Sequence, residues 1–344
     1  MIEKTKNTGV LLINLGTPDS PSTKDVRKYL TEFLNDPRVI DISKVGRALL
    51  VNGIIVPFRA PKSAKIYKEL WKHWDNNSPL LTYGEKLKEL IQAKYHNQNV
   101  TVEFAMRYQN PSLNSVLAKM EKVGYDEIII LPLFPQYASS STGSAIEKAL
   151  SIIHKWWTIP TLKVQSSFFD HPGYINGFVA SAKKHDISKM DHVVFSYHGL
   201  PERQITKVHP ELECTNCDCD KSYKPNQDLC YRNACYQTTR LIADKLGLTE
   251  KDYTVSFQSR LGKTPWLQPY SDQVVKDLAI QGKKNLLVFS AAFIADCLET
   301  TIEIGDEYQE IFEEHGGEKI HLVESLNDSP IWIDTVHEMI ESLR

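Results

Sequence analysis

Short apolar runs alternate with longer amphipathic segments along the whole chain. Runs rich in Val, Ile and Leu predict β-strands, and apolar residues recurring every three or four positions predict α-helices. The predicted strands are 10–15, 100–106, 127–133, 162–166, 192–197, 253–258, 286–290 and 320–323. The predicted helices are 23–35, 83–95, 112–123, 141–155, 173–184, 237–247, 271–281, 295–314 and 331–343. Alternation of this kind is typical of α/β domains with parallel sheets and helices on both faces.

The chain is long enough for two such domains, because 344 residues can form two separate hydrophobic cores. We expect two four-stranded parallel units, the first covering residues 1–158 and the second residues 159–329. The last helix, within residues 330–344, is expected to pack back on the first unit.

The segment 45–65, VGRALLVNGIIVPFRAPKSAK, interrupts the alternation. It is strongly apolar but contains basic residues, namely Arg47, Arg59, Lys62 and Lys65. It is either a buried helix with a linker, or an exposed apolar lip with a basic fringe that binds a bilayer or a flat apolar ligand. Composition alone favours the buried alternative.

Composition and charge narrow the class of protein. A hydrophobic content of 42% and a charged content of 24% are ordinary for a soluble globular protein. The net charge of −3 gives no support for nucleic-acid binding. No apolar run approaches the roughly 20 residues of a membrane span, and the N-terminus lacks the pattern of a signal peptide. We therefore expect a cytoplasmic protein.

Two strand ends carry the candidate chemistry. The apolar strand in DHVVFSYHGLP is followed directly by His198, and a second strand, NLLVF, leads into a helix with a row of carboxylates at i, i+4 and i+8: Glu299, Glu303 and Glu307. A lone histidine or a row of glutamates is often structural or solvated. Here both follow predicted parallel strands, whose carboxyl ends form ligand sites in open α/β sheets. A histidine facing carboxylates suits proton abstraction and the handling of a divalent cation.

The six cysteines are unevenly distributed, since five fall within residues 214–235. Their spacing is C-x2-C-x-C-x10-C-x4-C, formed by Cys214, Cys217, Cys219, Cys230 and Cys235. In a reducing compartment such crowding favours a metal site over disulfides. A [2Fe–2S] cluster and a tetrahedral zinc ion each need four thiolates, which leaves one cysteine spare. The remaining alternative is a loop of free thiols.

Several long motifs, in order, resemble the ferrochelatase family, whose members insert Fe2+ into a porphyrin. They are LLINLGTPDSPS near the N-terminus, MRYQNPS at 106–112, LPLFPQYASSSTGS at 131–144, FSYHGLPER at 195–203, FQSRLGKTPWLQPY at 257–270, FIADCLETTIEIGDEY at 293–308 and ESLND at 324–328. The resemblance covers nearly the whole chain. It implies two similar Rossmann-like domains with a porphyrin cleft between them.

The resemblance also implies roles for individual residues. His198 matches the residue that accepts pyrrole protons or binds metal, and Glu299 matches the carboxylate facing it. Glu303 and Glu307 match an acidic line that relays metal or protons. The segment 45–65 matches a porphyrin-gripping, membrane-facing lip, which favours the exposed alternative and implies peripheral membrane contact. The residues expected to contact porphyrin are Arg107, Tyr108 and Tyr137.

The chain departs from the family pattern in two places. Cys297 stands where many members have a second histidine, two positions before the helix glutamate. The cysteine-rich segment, residues 214–235, is an insertion that simpler members lack. Because some microbial ferrochelatases carry a [2Fe–2S] cluster, the resemblance favours iron–sulfur over zinc. Cys235 begins the next helix and is the weakest of the five candidate ligands.

The resemblance implies a lyase that makes protohaem from protoporphyrin IX and Fe2+, the terminal step of haem biosynthesis. One alternative is the same chemistry on coproporphyrin, whose extra propionates would need additional cationic or hydrogen-bonding partners. Another alternative is a non-catalytic sensor that binds a tetrapyrrole. The presence of both His198 and Glu299 argues against a sensor.

Overall fold

The computed structural model of the protein describes residues 6–96, 98–209, 217–260, 262 and 264–344. The chain divides into two compact units. The first unit contains Met1–Phe134, Ser139–Ser166 and Ile333–Arg344, and the second contains Pro135–Ala138 and Ser167–Trp332.

The first unit is built on a four-stranded parallel sheet. Its strands, in the order β2-β1-β3-β4, are β1 (Thr8–Gly16), β2 (Val100–Tyr108), β3 (Glu127–Pro132) and β4 (Thr161–Val164). Its helices are α1 (Thr23–Leu34), α2 (Lys44–Leu50), α3 (Val56–His73), α4 (Pro79–Lys94), α5 (Leu113–Val123) and α6 (Ser144–Ile153). Two single π-helical turns, Val51–Ile55 and Ser139–Gly143, precede α3 and α6.

The second unit repeats this arrangement. Its parallel strands, in the order β6-β5-β7-β8, are β5 (His192–His198), β6 (Tyr253–Gln258), β7 (Asn285–Phe289) and β8 (Lys319–Leu322). Its helices are α7 (Pro172–Ala182), α8 (Glu202–Thr206), α9 (Tyr231–Leu246), α10 (Ser271–Ile280) and α11 (Gln309–Glu314), together with a 3-10 turn, Ile187–Lys189, and a π-helical segment, Glu299–Tyr308. The final helix, α12 (Pro330–Leu343), belongs to the first unit from Ile333 onward. The prediction of two four-stranded α/β domains is confirmed.

The central strands form the two cores because they are apolar on both faces. Every residue of β3 is buried, and so are Val193 to Tyr197 of β5. In β5 and β7 the rings of Phe195 and Phe289 stack with their centroids 4.5 Å apart. Strands covered by helices on both faces have such continuous apolar runs, which explains why the sequence pattern identified them.

Local signals fix the ends of several helices. Ser22 and Ser112 cap α1 and α5 by accepting hydrogen bonds from the backbone N–H groups of Asp25 and Ser115. Helix α5 is followed by Gly124 in the left-handed conformation, with φ at 69°.

The predicted boundary at residue 158 differs from the structure. Strand β4 pairs in parallel with β3, residue 161 lying opposite Glu127, so it completes the first sheet. The first unit therefore continues to Ser166. The predicted boundary is too early because β4 is short and none of its residues is fully buried, so its own pattern does not assign it to a sheet.

The lip, residues 45–65, is helical, running through α2, the first π-turn and α3. Large apolar side chains are exposed along it: Val45, Leu49, Ile54 and Phe58. Arg59, Lys62 and Lys65 are also exposed. Arg47 is not part of a basic fringe, because it is buried and its guanidinium donates to the carbonyl oxygens of Ile40 and Ile42.

The predicted α-helix 295–314 is also different in the structure. Glu299–Tyr308 is π-helical, and α-helical geometry begins only at Gln309. π-Helical turns bond residue i to i+5 and are frequent at functional sites.

In the part of the chain that the structure describes, no helix is long and apolar enough to cross a membrane.

Candidate active site

His198 is the last residue of β5 and is half-buried. Its Nδ1 atom lies 2.7 Å from the carbonyl oxygen of Gly199. A carbonyl oxygen can only accept, so Nδ1 must carry the hydrogen in this contact. In the neutral ring the other nitrogen, Nε2, then has the lone pair. This arrangement makes Nε2 the atom that can accept a proton or bind a metal ion.

The turn after His198 is fixed by backbone contacts. The Gly199 N–H donates to the carbonyl oxygen of Gln258 at 2.7 Å, and the Tyr231 hydroxyl donates to the carbonyl oxygen of His198 at 2.8 Å. A Cβ atom at position 199 would lie only 2.7 Å from the Gln258 oxygen. Glycine is therefore required for β5 and β6 to approach each other here.

The carboxylate row, Glu299, Glu303 and Glu307, lies on the π-helical segment that follows β7. Strand β7 pairs with β5, residue Val288 lying opposite Val194, so His198 and this segment follow the carboxyl ends of neighbouring strands. Glu299 and Glu303 are partly buried and Glu307 is exposed. This is the edge at which open parallel sheets bind ligands.

Glu303 is held by three donors. Gln258 Nε2 donates to it at 3.1 Å, Tyr308 donates at 3.1 Å, and the Ser259 hydroxyl makes a short hydrogen bond. The Gln258 side chain is itself oriented by the Ser196 hydroxyl, which donates to Oε1 at 2.6 Å. The middle carboxylate of the row is therefore locked in place from the end of β6.

The two outer carboxylates have different surroundings. Burial raises the pKa of the Cys297 thiol well above its usual value, and the neighbouring Glu299 carboxylate raises it further. Cys297 is therefore a neutral thiol beside Glu299. Partial desolvation raises the pKa of Glu307, and the charges of Glu303, Glu310 and Asp306 add to this effect. The Glu307 carboxylate therefore takes up a proton more readily than an ordinary glutamate does.

Arg107 and Tyr108, the predicted porphyrin contacts at the end of β2, share the buried carboxylate of Asp36. Arg107 Nη2 lies 2.6 Å and the Tyr108 hydroxyl 2.8 Å from Asp36 Oδ2. Ser144 donates to the same oxygen at 2.5 Å and accepts from Arg107 Nε at 2.7 Å. Tyr108 is completely buried, so its ring has no surface for a ligand, whereas Tyr137 is half-buried.

A comparison with protein-family models shows which family the chain belongs to. The ferrochelatase family model matches residues 7–343. The chain belongs to the ferrochelatase family. A ferrochelatase of Legionella pneumophila (strain Paris) is 43% identical over 332 residues, 96% of this chain and 98% of that protein. A ferrochelatase of Coxiella burnetii (strain Dugway 5J108-111) is 40% identical over 341 residues, 98% of this chain and 94% of that protein.

Solved structures of other chelatases have the same fold. SirB from Bacillus subtilis with Fe3+ aligns with a TM-score of 0.55 at 9% identity, covering 98% of this chain and 95% of that one. The sirohydrochlorin chelatase SirB from Bacillus subtilis subspecies spizizenii, in complex with cobalt, aligns with a TM-score of 0.52 at 10% identity, again covering 98% of this chain and 95% of that one. These likenesses support the fold of this ferrochelatase-family chain.

Four of the five clustered cysteines lie in the described part of this family member, and Cys214 lies outside it. Cys217, Cys219, Cys230 and Cys235 are buried and not disulfide-bonded. Arg232 Nη1 donates to Cys219 Sγ at 2.9 Å. Burial raises the pKa of Cys219, Cys230 and Cys235, so these thiols are neutral in the absence of metal.

The donor chemistry of these cysteines suits a thiolate-bound metal centre, but their geometry does not complete one. Among the described residues, no three His, Cys, Asp or Glu side chains lie close enough together to hold a metal ion. Cys235 is fully buried with its thiol beside the Tyr231 hydroxyl.

Asp36, Gln258 and Tyr231 are structurally central but were not predicted as site residues. Gln258 falls within the FQSRLGKTPWLQPY motif, which is a signal that could have identified it. Asp36 follows α1 in an unremarkable LNDP sequence, and Tyr231 adjoins Cys230. Their partners are distant in the sequence, which has no local pattern that joins them.

Proposed function

We propose that the protein inserts Fe2+ into protoporphyrin IX to form protohaem, the terminal step of haem biosynthesis. The observation that carries this proposal is the orientation of His198, whose Nδ1–H is bonded to the Gly199 carbonyl so that Nε2 has the lone pair. The carboxylate row at the same sheet edge and the membership of the ferrochelatase family support it.

Metal insertion replaces the two inner N–H protons of the porphyrin with Fe2+, and both protons must leave. Neutral His198 accepts a pyrrole proton at Nε2, since histidine is a base near neutral pH. Fe2+ is the substrate and sheds its water ligands stepwise. Carboxylate oxygens replace water and offset the charge of the cation without holding it as tightly as thiolates would.

The three carboxylates divide this work. Glu303 already accepts three hydrogen bonds, so we assign it an electrostatic and positioning role. Glu299, at the start of the segment, is assigned the contact with incoming metal or the departing proton. Glu307, which is exposed and has a raised pKa, is assigned the exchange of protons or metal with solvent.

The decisive experiment is an anaerobic assay of Fe2+ insertion by wild-type protein and by His198→Ala and Glu299→Gln. Both substitutions should reduce kcat by at least about 100-fold, the usual contribution of a positioned acid or base. Glu307→Gln should have a milder effect. His192→Gln is the matched control, because His192 lies on β5 at the opposite end and bonds Thr254. Near-normal turnover by His198→Ala would refute the assignment.

Testing protoporphyrin IX and coproporphyrin in the same assay identifies the substrate. We expect protoporphyrin IX to be the better substrate. Preference for coproporphyrin would keep the chemistry and change the substrate, whereas binding of either porphyrin without insertion would identify a sensor.

For the cysteine-rich segment we propose a [2Fe–2S] cluster held by Cys214, Cys217, Cys219 and Cys230. The crowded, buried thiols, which a metal centre would bind as thiolates, support this proposal. Protein purified without oxygen should contain two iron and two acid-labile sulfide per chain. Cys217→Ser should lose both, and Cys235→Ser should retain them. Zinc without sulfide would instead identify a zinc site.

For the lip we propose reversible contact with a membrane surface through its exposed apolar and basic side chains. Phe58 and Val45 are 72% and 71% exposed, and Leu49 and Ile54 are exposed along the same helices, so the lip concentrates exposed apolar side chains as interaction surfaces do.

A further inference from the structure

Helix α9 contacts the cysteine-rich segment through polar side chains. Arg232 Nη1 donates to the Cys217 carbonyl oxygen at 2.8 Å as well as to Cys219 Sγ. Asn233 exchanges hydrogen bonds with the backbone of Lys224 at 3.0 and 3.1 Å, and Arg240 donates to the Cys219 carbonyl oxygen. These contacts fix residues 217–224 against the first three turns of α9.

The same helix also contacts the end of β5. Thr239 Oγ1 lies 2.9 Å from the Tyr197 hydroxyl, and Tyr231, the first residue of α9, donates to the His198 carbonyl oxygen at 2.8 Å. Cys230 is the N-cap residue that precedes Tyr231. The helix that holds the cysteine-rich segment is therefore bonded directly to the residue proposed as the base.

The Tyr231 hydroxyl is well suited to a fixed contact of this kind. Its side chain is 6% exposed, so water does not compete effectively for the hydrogen bond. Burial raises the pKa of this hydroxyl well above its usual value, which keeps it a donor. Its single proton is used on the His198 carbonyl.

The peptide group between His198 and Gly199 is held on both sides. Its carbonyl accepts from Tyr231, and its N–H donates to the Gln258 carbonyl at 2.7 Å. The next carbonyl, that of Gly199, receives the His198 Nδ1–H. Rotation of this peptide plane would displace the Gly199 carbonyl and release the ring. The chain of bonds from Tyr231 thus determines which ring nitrogen has the lone pair.

We propose that Tyr231 is a positioning residue for His198, and that α9 thereby connects the cysteine-rich segment to the reaction site. This inference rests on the proposed function, in which His198 Nε2 accepts a pyrrole proton. Tyr231 acts through the backbone of His198.

The test is Tyr231→Phe, which removes the hydroxyl and keeps the ring. Fe2+ insertion should show a kcat reduced by about five- to tenfold, as expected for one lost hydrogen bond, with the KM for protoporphyrin IX changed less than about twofold. Nitrogen-15 NMR of histidine-labelled protein should show His198 changing from the Nδ1–H form to a mixture of both neutral forms. His198→Gln identifies the His198 signals.

The matched control is Tyr197→Phe, which removes a neighbouring buried hydroxyl that bonds Thr239. It should lose a similar amount of thermal stability while keeping wild-type kcat and the Nδ1–H form. Wild-type kcat and an unchanged His198 signal in Tyr231→Phe would overturn the inference. Equal kcat losses in the two variants would also overturn it, because the effect would then be general destabilisation. Inactive wild-type protein would refute the proposed function instead, and the NMR comparison would still decide the role of Tyr231.

Discussion

Asp36 shows how a single buried carboxylate organises the end of β2. One of its oxygens accepts hydrogen bonds from Ser144, Arg107 and Tyr108, and the other accepts from the Arg38 N–H. Burial alone would raise the pKa of Asp36. The hydrogen bonds from Ser144 and Arg38 and the charge of Arg107 outweigh it, so the pKa lies below its usual value. Asp36 is therefore charged at neutral pH.

Asp36→Asn should destabilise the first unit, because it leaves the Arg107 guanidinium, 10% exposed, without its counter-charge. Removing one partner of a buried pair costs about 3 kcal/mol or more. A lowered folded-state pKa means that stability is present above the unfolded-state value and is lost as pH falls through the folded-state value. The variant should thus melt earlier at pH 7 and lose less stability on acidification than wild type.

Thermal melts between pH 7 and pH 3 measure this difference. Asp334→Asn is the control, since Asp334 pairs with Lys94 at the surface of the same unit and should contribute about 0.5 kcal/mol or less. Parallel pH profiles for wild type and Asp36→Asn would show that Asp36 is not the group responsible.

At the residue scale, the sequence predicted the strand-end groups and missed the groups that hold them. His198 is recognisable because it directly follows a predicted apolar strand, and Glu299 because the row repeats every four residues. Asp36 bonds Tyr108, and Ser196 bonds Gln258, across 72 and 62 positions. Such contacts form only when the chain folds, so no local sequence pattern predicts them.

Among the elements, the lip has one set of apolar side chains that is buried and another that is exposed to solvent. Val51, Val56 and Ala60 are buried in a cluster with Val26 and Leu30 of α1. Another set, Val45, Leu49, Ile54 and Phe58, is exposed. The sequence could not decide between a buried and an exposed lip, because the same helices bury one set of apolar side chains and expose another.

Phe58→Glu should weaken binding of the protein to anionic liposomes by about tenfold or more, since burying one Phe side chain contributes about 1.5–3 kcal/mol. Co-sedimentation with vesicles at low salt measures the effect, and added salt should weaken the basic contribution of Arg59, Lys62 and Lys65. Ile280→Glu is the control, because Ile280 is 62% exposed on α10, away from the lip in the sequence. Equal binding by Phe58→Glu and wild type would contradict membrane contact through the lip.

The π-helical segment 299–308 was predicted as α-helix for a physical reason. Apolar residues three to four positions apart fit both α-helical and π-helical geometry. The sequence pattern therefore does not distinguish i→i+5 hydrogen bonding from i→i+4 hydrogen bonding. Ile304 and Tyr308 are buried in the core cluster with Leu286 and Val288 of β7. The segment is thus anchored on its apolar side while Glu299 and Glu303 remain partly exposed.

For the whole molecule, the sequence predicted each of the eight strands found among the described residues, because buried parallel strands are apolar runs bounded by turns. The misplaced boundary concerned β4, a strand of only four residues, none of them fully buried. Its pairing with β3, rather than its own pattern, assigns it to the first sheet. Both sheets have the same strand order. The alternation of strands and helices predicted parallel sheets but did not predict this order.

The first unit depends on the end of the chain, because Ile333–Arg344 belongs to it. Val336, Met339 and Ile340 are at most 2% exposed. Lys163 Nζ also donates to the Arg344 carbonyl oxygen at 2.8 Å, and Arg344 donates to Gln98 at 2.9 Å. Removing this segment exposes part of the first core while leaving every strand of both sheets intact.

Truncation after Trp332 should therefore destabilise the first unit selectively. Loss of three buried apolar side chains corresponds to roughly 5 kcal/mol or more, a large part of the stability of an ordinary domain. Limited proteolysis with mass spectrometry should show early cleavage within residues 6–134, followed later by cleavage within residues 167–332. Glu338→Ala, an exposed position on α12, is the control and should behave as wild type. Simultaneous cleavage of both units in the truncated protein would mean that they unfold as one cooperative body, because loss of the first core would then have carried the second unit with it.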